Sequence, residues 1–380
     1  MSRRLPAVLL CLSFLLPACS RVTPVAPSAT PEDQVAPVDL SILRGLENSL
    51  RAPTSAAEDP ERRRLVVVPA GSVDALAAAI EQVGVGGFVL LRSGLHHESA
   101  MVEVNKPVVI LGEPGTVLES SIPTWPAASP TIQAALWIHG APGAAVRGVE
   151  MRPAGGIGGA AILVEDSPGV AIFQNNLHDY QYSVLVQNGD RARIWSNRIS
   201  ATTAWQTDPS VPEAHGIVIV NGANTVIALN QVSNALFGIW ACDRAGLVVS
   251  NRISASFVGL ILCKVPAGGF TLPSGVLAGA ASSATGWLAQ GNETFGNFTT
   301  GLLVIDGANG NRVASNNSHD NGGHAVELTG DTFRFGFLTP ASFNNVFVAG
   351  AFPGIDVKDC GNGNRIFGGT LVDNALEPCD

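Results

Sequence analysis

The chain has 380 residues, of which 42 are glycine and 24 proline, and only 14% are charged. Low charge with 46% hydrophobic residues excludes a disordered chain, and the density of glycine and proline excludes long helices. The formal net charge of −9 argues against nucleic acid as a partner. What remains is a β-rich body with many tight turns.

Arg3 and Arg4 precede an apolar run that ends in Leu16-Pro17-Ala18-Cys19. The run is shorter than the ~20 residues needed to span a bilayer and fits a signal-peptide core. Its end resembles a bacterial lipobox. That resemblance implies removal of residues 1–18, lipidation of Cys19 and a membrane contact through the N-terminal lipid. Ser20 follows where inner-membrane retention in enteric bacteria uses Asp, which points to the outer membrane. Without Arg3 and Arg4 the net charge becomes −11. Residues 19–64 are rich in Pro, Ala, Ser and charge and read as a flexible tether. Within them Leu40, Leu43, Leu46 and Leu50 fall along one side of a short helix.

The body is expected over residues 65–380. It opens with Val73–Ile80, read as a short amphipathic helix with Ser72 as its N-cap. Gly86-Gly87-Phe88-Val89-Leu90-Leu91 and Asn105-Lys106-Pro107-Val108-Val109-Ile110-Leu111-Gly112 follow as strands and turns.

An internal repeat then becomes visible. Ser196-Asn197-Arg198-Ile199-Ser200-Ala201 recurs as Ser250-Asn251-Arg252-Ile253-Ser254-Ala255. The same Asn stands at 175, 197, 230, 251, 292 and 316, at spacings of 22, 33, 21, 41 and 24. The short spacings define a unit of about 22 residues and the long ones add insertions. Asn at one turn of successive coils can form an amide ladder, and Asn tolerates left-handed backbone angles.

Each unit also carries a strand opened by a small residue, as at Ala135, Ala161, Ser183, Gly216, Gly238, Gly259, Gly301, Ala325 and Gly354. The first and third positions after it are apolar: Ile162 and Val164, Ile217 and Ile219, Val326 and Leu328, Ile355 and Val357. Alternation along a strand turns these inward and the second and fourth positions outward. No such unit buries its own apolar face, so the units must stack.

This pattern resembles the right-handed parallel β-helix of the pectin-lyase-like superfamily, and within it the NosD-like carbohydrate-binding and sugar-hydrolysis repeat proteins. The resemblance covers roughly residues 66–380. The fold class expected is therefore all-β: a single-stranded solenoid of about 11 coils with an N-terminal capping helix. The resemblance implies less about activity, because the fold hosts lyases, hydrolases, esterases, epimerases and non-enzymes. The signatures of its enzyme families are missing here. No two Asp are adjacent, and Trp137-Ile138-His139 only echoes the pectate-lyase Trp-Ile-Asp-His.

The strand-end column supplies the acid–base candidates: Asp166, Asn188, Asn221, Asp243, Lys264, Asp306 and Asp359. Lys264 between Asp243 and Asp306 is a candidate lyase base with carboxylates for a metal; the competing reading is a turn-end ion pair. No metal site is signalled in the sequence itself, and calcium enters as a cofactor only with the lyase reading. His178-Asp179 and His319-Asp320 occupy one repeat position and read as solvated turn residues.

The outward face is unusually apolar. Its second position holds Trp137, Leu163, Leu185, Val218, Trp240, Ile261 and Leu303, and its fourth adds Val220, Cys242, Cys263 and Ile305. Such a ribbon is covered or used. Three explanations compete: insertion 265–285 folds over it; it docks a subunit or envelope protein; or Trp137 and Trp240 are platforms for sugar rings. Loop 202–214 adds Trp205 to that binding set. Insertions 265–285 and 331–343 follow the same strand and should project from one side.

Cys242 and Cys263 share an outward column on adjacent coils, ~4.8 Å apart by strand stacking, within disulfide range. Cys360 and Cys379 are positioned to fasten the last coil, and an oxidising compartment permits both bonds. The reading is a cell-envelope lipoprotein whose β-helix binds carbohydrate or an envelope protein. Its rivals are a polysaccharide lyase acting on uronate polymers and a structural NosD-like accessory protein.

Overall fold

A computed structural model of the chain describes residues 41, 45, 65–124, 131–200, 206, 213–264, 271–279, 283–334 and 337–379, with the side chains of Asp243 and Phe337 excepted. Cys19, Trp205 and three of the tether leucines' neighbours in the expected helix lie outside the described residues, as do all four of those leucines.

The chain winds through three parallel sheets of 12, 11 and nine strands. One coil runs Tyr180–Gln187, Arg193–Trp195 and Arg198–Ser200, one strand in each sheet. The next runs His215–Ala223, Val226–Ala228 and Gln231–Ser233. Corresponding residues stack: Val184 on Ile217, Ile194 on Ile227, Ile199 on Val232. These inward residues belong to one continuous apolar core that runs the length of the solenoid. Each aliphatic side chain so buried contributes about 1.5–3 kcal/mol.

The small residue at each strand opening has a steric cause. A Cβ on Gly216 would meet the Gly238 carbonyl oxygen at 2.2 Å, and one on Gly259 would meet that of Gly301 at 2.5 Å. Successive coils approach too closely there for a larger side chain.

The Asn column is a continuous ladder. Each side-chain N–H donates to the next Asn Oδ1, from Asn175 to Asn197 (3.1 Å), Asn230 (2.9 Å), Asn251 (3.0 Å), Asn292 (2.9 Å) and Asn316 (2.9 Å). The left-handed residue is not the ladder Asn but the one before it: Gln174, Ser196, Leu229, Ser250, Gly291 and Ser315 all have positive φ. The Asn itself is held inward to reach its neighbours. A second ladder joins Asn311, Asn345 and Asn364 at 2.9 and 3.0 Å. The strand-end column forms a third, from Asn221 to Asn188 (2.6 Å) to Asp166 (2.8 Å).

Two local expectations need correction. Helix α1 spans Leu76–Gln82, later than expected, and Ser72 does not cap it. Ser72 Oγ donates instead to the Pro69 carbonyl (2.7 Å). The cap comes from the neighbouring strand: Glu98 accepts the backbone N–H groups of Ala75 (3.2 Å) and Leu76 (3.0 Å). Burial pushes the Glu98 carboxyl up despite those donors. In the last coil, Val357 rather than Ile355 pairs with Val326, and Asp359 pairs with Leu328. A turn bonded from Ile355 N–H to the Phe352 carbonyl (3.2 Å) takes up two residues before the strand begins. Asp359 therefore leaves the strand-end column and accepts from Asn364 (2.9 Å) and Gly361 (3.0 Å).

Candidate functional site

The outward face of the 11-stranded sheet is packed, not bare. Leu163, Leu185, Val218, Val220, Ile261, Leu303 and Ile305 form a second buried cluster, which also contains Leu272 and Ala278 of the long insertion. That insertion runs back over the sheet. Ile132 N–H donates to the Thr271 carbonyl (2.9 Å), Ser274 Oγ bonds Glu165, and Gly279 N–H donates to Gln187 Oε1 (3.4 Å). Glu165 also accepts the Trp137 indole N–H (3.1 Å). Coils whose strands begin near residue 134 and near residue 180 are thus tied to one loop. Covering by residues of the 265–285 insertion accounts for this part of the apolar ribbon.

Trp137 and Trp240 are both half-buried in this packing. His139 stacks on the Trp137 ring at 4.7 Å. Trp240 lies against His215 at 5.6 Å and Phe237 at 4.9 Å, and its indole N–H points at Cys263 Sγ. Tyr182 stacks on His215 at 5.0 Å. Burial drives the His215 imidazole down to about 3, so it is neutral at physiological pH, and burial also raises the Tyr182 phenol. Cys242 and Cys263 are bonded, with Cα atoms 4.8 Å apart, and Cys360 is bonded to Cys379.

The outward column changes character beyond this cover. Leu303 is followed by Glu327, and Glu327 by Lys358, in strict register. Here a cleft of about 330 Å³ opens, lined by Phe257, Thr299, His324, Glu327, Arg334 and Lys358 among others. Glu327 is only 5% exposed. Its charge is compensated by a hydroxyl and a guanidinium: Thr300 Oγ1 donates at 3.1 Å, and Arg334 donates to both carboxylate oxygens at 3.1 and 2.7 Å. A buried carboxylate needs this degree of pairing. Arg334 is delivered by an antiparallel hairpin, Thr332–Arg334 with Phe337–Thr339, that leans over the sheet from insertion 331–343.

The other wall comes from the C-terminal segment. His324 bonds Asp356 through Nδ1 (3.1 Å) and Glu377 through Nε2 (3.2 Å). Burial pushes the Asp356 carboxyl up, but hydrogen bonds from His324 and the Ala325 N–H outweigh it and hold the group below the usual range. Lys358 donates to the Pro378 carbonyl (3.4 Å). The Cys360–Cys379 bond therefore fastens the segment that carries Glu377 and Pro378 against the cleft. An ammonium has three donors and Lys358 uses one of them here.

The catalytic candidates read from the sequence lie elsewhere on the same sheet. The backbone N–H of Lys264 donates to Asp306 Oδ2 (3.3 Å), and the Lys264 side chain is exposed. Burial, opposed by that bond and by the Lys264 charge, pushes the Asp306 carboxyl up to about 6. The Asp243 side chain lies outside the described residues. Among the described residues there is no group of three His, Cys, Asp or Glu placed to hold a metal ion. The two His-Asp pairs sit in the nine-stranded sheet, where His178 bonds Asp179 (2.8 Å) and Glu150 (3.4 Å), and His319 bonds Asp320 (2.8 Å) and Glu293 (3.5 Å). The cleft itself was missed. Its signal was the replacement of an aliphatic by Glu327 at the second strand position, followed by Lys358.

No family model matches the sequence, and no curated protein matches it. Solved structures do. Polygalacturonase from Erwinia carotovora ssp. carotovora is similar at a TM-score of 0.53 and 12% identity, over 85% of this chain and 97% of that one. The Dettilon tailspike protein matches at 0.47 and 15% identity, over 80% and 68%. An alginate lyase from a Paenibacillus species matches at 0.38 and 10% identity, over 82% and 99%. With its three parallel sheets, the chain is a right-handed parallel β-helix of the pectin-lyase-like fold.

Proposed function

We propose that this protein is a lipid-anchored protein of the bacterial cell envelope whose β-helix binds carbohydrate in the cleft of Phe257, His324, Glu327, Arg334 and Lys358. The observation that carries the reading is the switch of the outward column from buried aliphatics to a cleft with a paired carboxylate and a partly unused ammonium. A cleft of about 330 Å³ lies at the lower end of the ~300–1,000 Å³ typical of small-ligand sites, a size for one or two sugar rings rather than a long chain. Phe257 offers apolar ring contact, Thr299 and His324 offer hydrogen bonds, and Lys358 suits a carboxylate-bearing sugar. The polygalacturonase likeness supports the fold on which such a site is built. A glycan array carrying neutral and uronate oligosaccharides tests the reading. Binding that falls at least tenfold in Lys358→Ala and survives in Lys264→Ala supports it; no glycan bound, or equal binding by Lys358→Ala, overturns it.

A second reading, a lyase acting on uronate polymers at Lys264, Asp243 and Asp306, is favoured by the raised Asp306 carboxyl, which titrates near neutrality. Release of unsaturated product, followed by ultraviolet absorbance with and without calcium and lost in Lys264→Ala, is its test. The anchor is tested separately. Metabolic labelling with a fatty acid should mark the wild-type chain and not Cys19→Ser.

A further inference from the structure

The outer face of the 12-stranded sheet presents a second apolar ribbon. Ile172 and Ile194 point into the core, so their strand neighbours Phe173 and Trp195 point out. The two rings stack at 4.0 Å, with the Arg147 guanidinium 5.4 Å from the Phe173 centroid. Yet Phe173 is 0% and Trp195 2% exposed. An indole standing out from a sheet reaches that value only under another layer of protein. The described residues packed with this cluster, from Phe88 to Leu247, all belong to the same sheet.

The borders of the sheet narrow the choice of cover. Toward the nine-stranded sheet the chain turns in two residues, Ser196-Asn197 and Ser250-Asn251, closed by the Asn ladder. Residues 125–130 and 201–212 lead into strands of the 11-stranded sheet, and the 265–285 insertion lies on that sheet. The leader before Leu65 is left. It enters the body through Leu65–Val68, the edge strand of the 12-stranded sheet. Trp195 lies five strands from that edge, or ~24 Å at ~4.8 Å per strand. The 15 residues from Leu50 to Leu65 span up to ~50 Å. Ser41 and Gly45 are helical and exposed. They lie one turn apart on one side of a helix, which puts Leu43, Leu46 and Leu50 on the opposite side.

We propose that residues 40–50 form an amphipathic helix whose leucine side docks on the Phe173–Trp195 stack. The leader is then a strap along the flank of the solenoid. If Cys19 carries the lipid, as proposed above, the free tether is the stretch from Cys19 to Leu40, with an r.m.s. reach of ~25 Å, and the flank that faces the membrane is fixed.

The test uses the full chain and does not depend on the anchor. Hydroxyl-radical footprinting reads Trp195 against Trp287, which is buried in the core. In the wild type both are expected to be oxidised slowly. In Leu43→Ser/Leu46→Ser/Leu50→Ser, Trp195 oxidation should rise at least fivefold with Trp287 unchanged. Hydrogen exchange of residues 40–50 in the wild type should be slowed at least tenfold against an unstructured peptide. Unprotected exchange there, or Trp195 equally shielded in the triple variant, overturns the proposal.

Discussion

Asn230 carries the ladder's central load, so Asn230→Ala measures what the ladder contributes. Its Oδ1 accepts the Asn197 backbone N–H (3.0 Å) and side-chain N–H (2.9 Å). Its amide donates to the Ile194 carbonyl (2.9 Å) and to Asn251 Oδ1 (3.0 Å). Alanine leaves two buried donors of Asn197 without their acceptor and the Ile194 carbonyl without this donor. Each buried group left unmade costs about 1–3 kcal/mol, so the loss should be about 3–6 kcal/mol. Thermal unfolding followed by circular dichroism, with disulfides intact and one scan rate, should show a Tm lowered by roughly 6–12 °C, taking about 2 °C per kcal/mol for a chain of this size. Asn374→Ala, which removes one exposed bond to the Asp359 carbonyl, should shift Tm by no more than about 1 °C. If Asn230→Ala shifts no more than this control, the ladder is not a stabilising element and the reasoning fails.

Four further outcomes follow from the same geometry. Asp306 has a folded-state carboxyl near 6 against 3.8, so its contribution is most favourable below pH 4 and declines as pH rises to 6; Asp306→Asn should stabilise the fold by about 1–2 kcal/mol at pH 7–8, after allowance for partial exposure, and this gain should vanish near pH 4 in denaturant titrations. His215 works in the opposite direction: its folded value near 3 lies below 6.5, so stability should fall as pH drops through that window, and His215→Phe should flatten the acid limb of a Tm-versus-pH curve. Gly238→Ala would place a Cβ 2.4 Å from Ile253 Cγ2 and 2.6 Å from the Gly259 carbonyl oxygen, so chemical denaturation should show a loss of about 1–3 kcal/mol or more. Cys360→Ser/Cys379→Ser should weaken glycan binding by freeing the wall that carries Glu377 and Pro378, while Cys242→Ser/Cys263→Ser should lower Tm without that binding defect.

The repeat was legible because stacking forces chemistry into columns. Val184, Ile217 and Ile239 share one inward column, and Asn197, Asn230 and Asn251 share one turn, so each announces itself by recurrence. The second ladder through Asn311, Asn345 and Asn364 was hidden by its irregular spacings of 34 and 19, which insertions impose. The helix cap was not legible because its acceptor, Glu98, comes from another coil and leaves no local capping pattern. The last coil slipped in register because Ile355 is as apolar as a strand residue but sits in a turn. The cleft depends on Arg334, which reaches Glu327 only because a hairpin folds back over the sheet. Nothing in sequence spacing fixes that direction. The apolar outward ribbon, by contrast, was visible at once, and its cover came from the insertion that follows it.

The most direct measurement of the central claim is a crystal structure with the oligosaccharide that binds best on the array. The account predicts sugar density between Phe257, His324 and Lys358, with a sugar oxygen bonded to the Lys358 ammonium. Density along Trp137 or at Lys264, with the Glu327 cleft left empty, would contradict it.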